Sequence, residues 1–352
     1  MKIGINGLGR IGRSILRQSL NNEDINICVI NDLNPDINNI CYTINYDTIY
    51  GPLKNKVAVS DNKILLPNGN KVEVHSKNSI EEVPWKNCDV DYIIDATGVL
   101  KNVQDANKLT QEDIVKRIFI THAPEKFVDF TMVLGCNEEN LNVDQHFVIA
   151  TSICDATAIA PVLELLDREV GIDSGQITTL HPWLSYQNLM DGSSSSWSVP
   201  GEIYHHYALG RSVIGNLIPK PTSAITATTQ VLSRIKESDI GSFSYRTPTS
   251  IVGSADMTLK LLKNIRVEDI HDILESFKSE QKWDILNLTE EPLVSLDFVN
   301  TKYSAVVDKR WTSIHGKDLL KLVLWYDNEA GYSSRVIDQI KYVDTILQNK
   351  TK

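Results

Sequence analysis

The feature that most constrains this chain is a glycine-rich turn near its start. Gly7, Gly9 and Gly12 have the spacing G-x-G-x-x-G, between a strand-like run at residues 3–6 and a helical repeat of apolar residues. These glycines permit a tight turn and let a pyrophosphate and a helix approach the backbone closely. Asp32 ends the next predicted strand, where its carboxylate would accept hydrogen bonds from the ribose hydroxyls and repel a 2′-phosphate. The turn therefore predicts a βαβ unit that binds NAD in preference to NADP.

The first 151 residues continue this alternation of buried strands and helices. Apolar, β-branched runs at residues 25–32, 91–95, 117–120 and 147–150 predict parallel strands. Ligands of such sheets bind beyond the carboxyl ends of the strands, so we expect Arg10 and Ile11 of the turn, and Thr97, to bind the cofactor. The predicted fold class is α/β, with a Rossmann doubly wound domain over residues 1–151 that also takes in a terminal helix at residues 332–352.

The second half of the chain has a different pattern. Longer alternating strands are predicted at residues 176–181, 242–257, 293–298 and 321–326. This pattern indicates an α+β catalytic domain over residues 152–331, with a mostly antiparallel sheet. Within it, residues 191–200, which contain the serine-rich run at residues 192–196, are predicted to form a loop.

Charge and cysteine content exclude several classes of function. The 352 residues carry 35 Lys and Arg against 45 Asp and Glu, a formal net charge of −10. Non-specific binding to nucleic acid or to an anionic membrane is not expected, because both reward excess positive charge. The five cysteines are scattered, which favours a reducing compartment and predicts neither a disulfide framework nor a metal site. With no apolar stretch near twenty residues and no secretory signal expected before the first strand, we predict a cytoplasmic protein.

Two side chains in the second half are candidates for chemistry. Cys154 begins a predicted helix, where the macrodipole and unpaired N–H groups can lower a thiol pKa. His181 ends a predicted strand. Spacing alone favours the simpler alternatives, a small buried thiol and a core histidine. Only an independent reason to pair the two would make them a catalytic unit.

That reason comes from a resemblance that extends along essentially the whole chain. The sequence resembles the glyceraldehyde-3-phosphate dehydrogenase family. The similar segments are residues 3–13, 31–33, 46–47, 123–124, 290–295 and 325–329, with Gly51, Gly331 and Tyr332.

The resemblance implies a mechanism. It places Cys154 at the family nucleophile and His181 at the general base, so that a thiohemiacetal on the sulfur loses hydride to NAD and becomes a thioester. The Cys154 N–H would help to hold the oxyanion. Asn328 matches the residue that hydrogen-bonds the nicotinamide carboxamide. The family further implies an aldehyde substrate that is phosphorylated, cleavage of the thioester by inorganic phosphate, and a homotetramer.

The sequence departs from the family around the nucleophile. The usual Ser-Cys-Thr-Thr-Asn motif reads Ile-Cys-Asp-Ala-Thr, with Ile153 and Asp155 on either side of Cys154. A carboxylate beside the thiol should oppose thiolate formation and repel incoming phosphate.

Anion recognition departs from the family as well. Leu184 and Leu209 stand where the family has a phosphate-binding threonine and arginine. Arg246 is retained, so the resemblance makes it the strongest candidate for holding an anionic group of the substrate, although an ion pair would also explain it. Thr222 and Arg211 are further candidates.

Three functions stay open from the sequence. The first is NAD-dependent oxidation of a phosphorylated aldehyde with phosphorolysis of the thioester. The second is a relative that hydrolyses the thioester and acts on a different anionic aldehyde. The third is a catalytically weak NAD-binding scaffold, silenced by the changes at Ile153 and Asp155.

Overall fold

A computed structural model describes residues 1–194 and 206–350. Part of the predicted serine-rich loop, residues 195–200, therefore lies outside the described residues. The chain divides into two compact units: residues 1–132, 139–152 and 333–352 form unit 1, and residues 133–138 and 153–332 form unit 2. Across the described ranges, no helix combines the length and apolarity that a bilayer crossing requires.

Unit 1 contains the alternating elements predicted for the first half of the chain. They are β1 (Lys2–Asn6), α1 (Arg10–Ser19), β2 (Asn26–Asn31), α2 (Ile37–Asn45), β3 (Ala58–Ser60), β4 (Lys63–Leu65), β5 (Lys71–His75), β6 (Tyr92–Asp95), α3 (Leu100–Gln111), β7 (Arg117–Ile120), β8 (Phe130–Thr131) and β9 (Val148–Ala150).

The sheet of unit 1 has the strand order that produces a dinucleotide crevice. Its order is β3-β4-β5-β2-β1-β6-β7-β9-β8, and the strands from β5 to β9 pair in parallel. Along the chain, the six parallel strands β5-β2-β1-β6-β7-β9 read third, second, first, fourth, fifth and sixth. Strand order thus reverses between β1 and β6, where ligands of doubly wound sheets bind. The glycine turn follows β1, and Thr97 follows β6.

Unit 2 is built around a mixed sheet. Its elements are α4 (Cys154–Glu169), β10 (Ile172–Pro182), β11 (Ile218–Lys220), α5 (Ala224–Thr229), β12 (Ile240–Thr247), β13 (Gly253–Leu261), α6 (Val267–Glu280), β14 (Leu286–Thr289), β15 (Ala305–Asp308), β16 (Ser313–His315) and β17 (Leu319–Tyr326). The sheet order is β11-β12-β10-β13-β17-β15-β14, with β16 paired to β17. Most pairs are antiparallel, as predicted, while β10–β12 and β14–β15 are parallel.

The final helix, α7 (Ala330–Lys350), carries a buried stripe at Val336, Ile340 and Val343, and its residues from 333 onward belong to unit 1. Inside that unit, the hydroxyl of Tyr92 donates to Asp344 Oδ1 at 2.7 Å. Gln339 Nε2 donates to the carbonyl of Met132 at 3.1 Å. Buried polar contacts of this kind fix the position of a helix that apolar packing alone would leave free to slide.

Two strand predictions for unit 2 were wrong. Residues 293–298 do not form a strand; they contain a single 3-10 turn, Ser295–Phe298. Val294 and Leu296 are 64% and 60% exposed, so two of the three alternating apolar residues have no sheet to pack on. The third, Phe298, is buried and stacks on the ring of Trp325 in β17. The predicted strand at 242–257 is two antiparallel-sheet strands, β12 and β13, separated by residues 248–252.

The glycine turn depends on two different properties of glycine. Gly7 has φ +93°, which side-chain-bearing residues rarely adopt. At Gly12 an added Cβ would lie 2.0 Å from the carbonyl oxygen of Gly7, so the first turn of α1 can pack on the loop only without a side chain. At Gly9 nothing lies within 4 Å of an added Cβ, and its φ is −63°. Gly9 therefore has open space in front of it.

These differences predict opposite outcomes for two alanine substitutions. Gly12→Ala forces the backbone of the turn apart and should lower the free energy of unfolding by about 2–4 kcal/mol. Gly9→Ala, the matched control, should cost less than about 1 kcal/mol, because the added Cβ meets open space and alanine is only a somewhat poorer N-cap residue than glycine. Urea unfolding of both variants measures this, and equal stabilities would contradict the tight helix-to-turn contact.

Candidate active site

Cys154 is the first residue of α4. The residue before it, Ile153, is the N-cap residue and is extended, and its side chain makes no capping hydrogen bond. Asp155 in the first turn and Arg168 in the last turn complement the helix dipole. The sulfur therefore lies at the positive end of a 16-residue helix.

His181 lies next to this sulfur. It is near the end of β10, and its Nε2 is 3.6 Å from Cys154 Sγ. Its Nδ1 is 2.8 Å from the carbonyl oxygen of Pro182. A carbonyl oxygen can only accept, so Nδ1 carries the ring proton and donates it there. Nε2 is consequently the atom with a lone pair, and it faces the thiol.

Asp155 adds a carboxylate to this pair. Its Oδ1 accepts from the hydroxyl of Tyr326 at 2.7 Å and lies 3.9 Å from Cys154 Sγ. Both Asp155 and Tyr326 are buried. Sequence analysis did not identify Tyr326, because its contact with Asp155 joins the end of β17 to the start of α4.

The electrostatics of the pair favour neutral partners. Burial, followed by the charge of Asp155, raises the pKa of the Cys154 thiol well above its usual value, while Arg246 and backbone hydrogen bonds act in the opposite direction. Burial, followed by the charge of Arg246, lowers the pKa of His181 to about 4. At neutral pH the resting pair is thus a thiol and an uncharged imidazole that can accept its proton.

Arg246 and Lys220 supply positive charge on the same sheet face. Arg246 is opposite His181 in the β10–β12 pairing, is 6% exposed, and its Nε has no hydrogen-bond partner in the described residues. Burial and the charge of Arg246 lower the pKa of Lys220 to about 8, and Cys154 and Asp155 act on it in the other direction. Lys220 was missed by sequence analysis, since nothing local distinguishes it from a surface lysine.

The other two predicted anion ligands have partners of their own. Thr222 Oγ1 accepts from the Ala224 N–H at 3.1 Å, just before α5 and two residues beyond Lys220. Arg211 is exposed and its Nε is 2.9 Å from Asp191 Oδ2, an ion pair on the surface. Thr222 thus lies close in sequence to Lys220 at the end of β11. Arg211 instead pairs with Asp191.

The predicted cofactor residues of unit 1 surround the glycine turn. Asp32 Oδ2 accepts from the Leu8 N–H at 2.8 Å, which holds the carboxylate against the turn. Thr97 donates to Asp95 at 3.0 Å and accepts from Asn102, so its hydroxyl belongs to a network within the unit. Arg10 pairs with Asp47, and Ile11 is half-buried in the first turn of α1.

Asn328 lies just beyond β17 and is buried. Its Oδ1 accepts from the N–H of Val252 at 3.1 Å. Val252 has φ +68°, a strained conformation for a β-branched residue. This hydrogen bond engages Oδ1 of the Asn328 amide and does not use Nδ2.

One group of side chains in the described ranges could also hold a metal ion. Donor atoms of Cys154, Asp155 and His181 lie within 4.8 Å of one another. Cysteine, histidine and carboxylate are ligands that Zn²⁺ accepts. However, Arg246 and Lys220 place positive charge on the same cluster and oppose a divalent cation. The cluster therefore combines a thiol, an imidazole and a carboxylate beside two cations.

Comparison with known proteins identifies the family of the chain. Residues 1–103 match the family model described as glyceraldehyde 3-phosphate dehydrogenase, NAD binding domain, and residues 153–328 match its C-terminal domain. The chain is 32% identical to glyceraldehyde-3-phosphate dehydrogenase 1 of Bacillus cereus, over 97% of this chain and 98% of the relative. Identity to glyceraldehyde-3-phosphate dehydrogenase of Ogataea parapolymorpha is 34%, over 97% of each.

Neutralising Asp155 should make Cys154 more reactive. Asp155→Asn removes a charge that raises the pKa of the thiol, so we expect alkylation by iodoacetamide at neutral pH to become about three- to tenfold faster. Mass spectrometry of the Cys154 peptide over a range of pH measures this. Asp173→Asn, near the opposite end of β10, is the control and should leave the rate unchanged. An unchanged rate in Asp155→Asn would show that the carboxylate does not influence the sulfur.

Proposed function

Because the chain belongs to the glyceraldehyde-3-phosphate dehydrogenase family, we propose that it catalyses the NAD-dependent oxidation of a phosphorylated aldehyde through a thioester on Cys154. The observation that carries this proposal is the 3.6 Å approach of Cys154 Sγ to an imidazole nitrogen whose tautomer is set by Pro182.

Unit 1 has features that suit NAD. Open space at Gly9, the close contact of Gly12 with Gly7, and the amino end of α1 suit a pyrophosphate. Asp32 suits the ribose hydroxyls, and we propose Arg10, Ile11 and Thr97 as further residues around the cofactor. When bound, NAD supplies the hydride acceptor for the oxidation.

The chemistry begins at the sulfur. As Sγ forms a bond to the aldehyde carbon, the thiol proton moves to His181 Nε2, and the carbonyl oxygen gains the electron pair of its π bond. The developing oxyanion can accept from the Cys154 N–H at the amino end of α4 and from the protonated Nε2. With NAD bound, loss of hydride from the tetrahedral carbon would leave a thioester on Cys154, and His181 would still hold the proton that it took from the thiol.

Substrate recognition is proposed to rest on Arg246. Its guanidinium is buried on the face that carries His181, and it has an unpartnered Nε. Buried cations need a counter-charge, and an anionic group of the substrate would supply one. Thr222 is proposed as a second ligand, and Asn328 as a ligand of the nicotinamide amide. Arg211, in its ion pair with Asp191, would have to exchange that partner in order to take part.

A hydrolytic relative is the second candidate function. Asp155 Oδ1, 3.9 Å from Sγ, is close enough to orient a water against a thioester formed there. Attack of that water would release a carboxylic acid and restore the thiol. Phosphorolysis instead yields an acyl phosphate and consumes inorganic phosphate.

We further propose a cytoplasmic homotetramer. All five cysteines are free, which suits a reducing compartment and a reaction that needs a reduced thiol. Large apolar side chains are exposed on either side of residues 195–205, which favours association between copies; they are Leu189, Met190, Tyr207, Ile214 and Leu217. Light scattering of the purified chain measures its mass in solution.

The proposed roles predict a large kinetic effect at His181. His181→Asn should lower kcat for NADH formation from glyceraldehyde 3-phosphate by about a hundredfold to ten-thousandfold, because the thiol loses its base. Cys154→Ala should abolish turnover. NADH absorbance measures both, and His315→Asn, on β16, is the control. Turnover of Cys154→Ala at the wild-type rate would refute the thioester mechanism.

Phosphate dependence separates the two candidate functions. Phosphorolysis predicts that sustained NADH formation requires inorganic phosphate, with at most one equivalent of NADH per active site in its absence. Hydrolysis predicts the same steady rate with and without phosphate. In the hydrolytic case Asp155→Asn should slow the steady rate by at least about tenfold, while the amount of NADH formed in the first turnover stays at one equivalent per active site.

A further inference from the structure

Lys220 and Arg246 are two cations that lack a counter-ion within the described residues. Within residues 1–194 and 206–350, neither side chain forms an ion pair with a carboxylate. The carboxylate that acts on Lys220 belongs to Asp155, and its Oδ1 already accepts from Tyr326. The counter-ion of the pair is therefore not among the described residues.

Strand pairing puts these cations on one face. Ile218 of β11 is opposite Arg246 of β12, which is opposite His181 of β10. In the next row Lys220 is opposite Ser244. Directly opposed residues share a face, and a diagonal neighbour lies within reach of a long side chain. Lys220 is thus a diagonal neighbour of Arg246, on the face that presents His181.

The polar groups between them are already satisfied. Thr179 is opposite Ser244 in the β10–β12 pairing. Its hydroxyl donates to Ser244 Oγ at 2.8 Å, and Ser244 Oγ is 3.3 Å from the carbonyl of Thr179. Neither hydroxyl is available to neutralise a cation. What remains is a buried guanidinium with an unpartnered Nε and a partly buried ammonium beside it.

We propose that Lys220 is a specificity-determining residue of the reaction proposed above, on which this inference rests: it supplies, beside Arg246, a second cation for a phosphate-class dianion next to Cys154. The shared chemistry is a tetrahedral oxyanion held by two cations. Its source is either inorganic phosphate or the phosphoryl group of the aldehyde. The lowered pKa of Lys220, caused by burial and by Arg246, is the response expected of a cation whose counter-ion is absent.

The first test needs no turnover. Iodoacetate is an anion and iodoacetamide is neutral, so the ratio of their rates at Cys154 reports positive charge near the sulfur. Lys220→Met should lower this ratio by about fivefold or more, and Lys220→Arg should restore it to within about twofold. Exposed Lys317→Met is the matched control and should leave it unchanged. A ratio that Lys220→Met does not alter would overturn the proposal.

The second test identifies the source of the anion. If inorganic phosphate binds, it should protect wild-type Cys154 from iodoacetate, and Lys220→Met should weaken protection by about tenfold. If the phosphoryl group of the substrate binds, Lys220→Met should instead reduce the preference, in kcat/KM, for glyceraldehyde 3-phosphate over glyceraldehyde by about tenfold. Failure of both effects rejects the anion site even if wild-type turnover is normal. Absence of any wild-type NADH formation rejects the proposed function, while alkylation still tests Lys220.

Discussion

The hydrogen bond between His181 Nδ1 and the carbonyl of Pro182 is the contact on which the candidate site depends. The accepting carbonyl belongs to Pro182, the residue after the histidine. The same strand, β10, therefore both positions the imidazole and sets its tautomer. Nε2 is left as an acceptor 3.6 Å from a sulfur at the start of α4. With the opposite tautomer, Nε2–H would face the thiol and could not take its proton. A single backbone carbonyl thus determines whether the neighbouring thiol has a base.

Burial has two effects at this pair, and they act in the same chemical direction. It raises the pKa of Cys154 and lowers that of His181, so both partners rest uncharged. Charge then develops only as the sulfur attacks, where Arg246, Lys220 and the amino end of α4 are already in position. Fixed dipoles and charges that need no reorganisation are the most effective electrostatic contribution to catalysis.

The parts of this protein that could be predicted from sequence are those encoded by near neighbours. The glycine turn, the strand before it and Asp32 lie within one βαβ unit, and the buried runs of unit 1 fold as their patterns predicted. Cys154 and His181 required the family resemblance, since each alone has an ordinary structural explanation. Tyr326 and Lys220 could not be predicted, because they meet the site through the register of β17 and β11. The run at 293–298 was misread because alternation of apolar residues does not reveal whether a sheet is there to bury them.

The carboxylate of Asp155 raises the question of how an anion could approach this sulfur. Three fixed charges act on the cluster: Arg246 and Lys220 are positive, and Asp155 is negative. While the thiol and the imidazole are neutral, the sum is +1. Conversion of the thiol to a thioester adds no charge at the sulfur, so the sum returns to +1 once His181 has released the proton that it took from the thiol. Asp155 is moreover engaged by the hydroxyl of Tyr326, which disperses its charge away from the sulfur.

The aspartate therefore reduces the attraction of the site for anions without reversing it, provided that Lys220 is protonated. A pKa of about 8 keeps it mostly so at neutral pH. The lysine that sequence analysis overlooked thus offsets the aspartate that sequence analysis expected to repel phosphate.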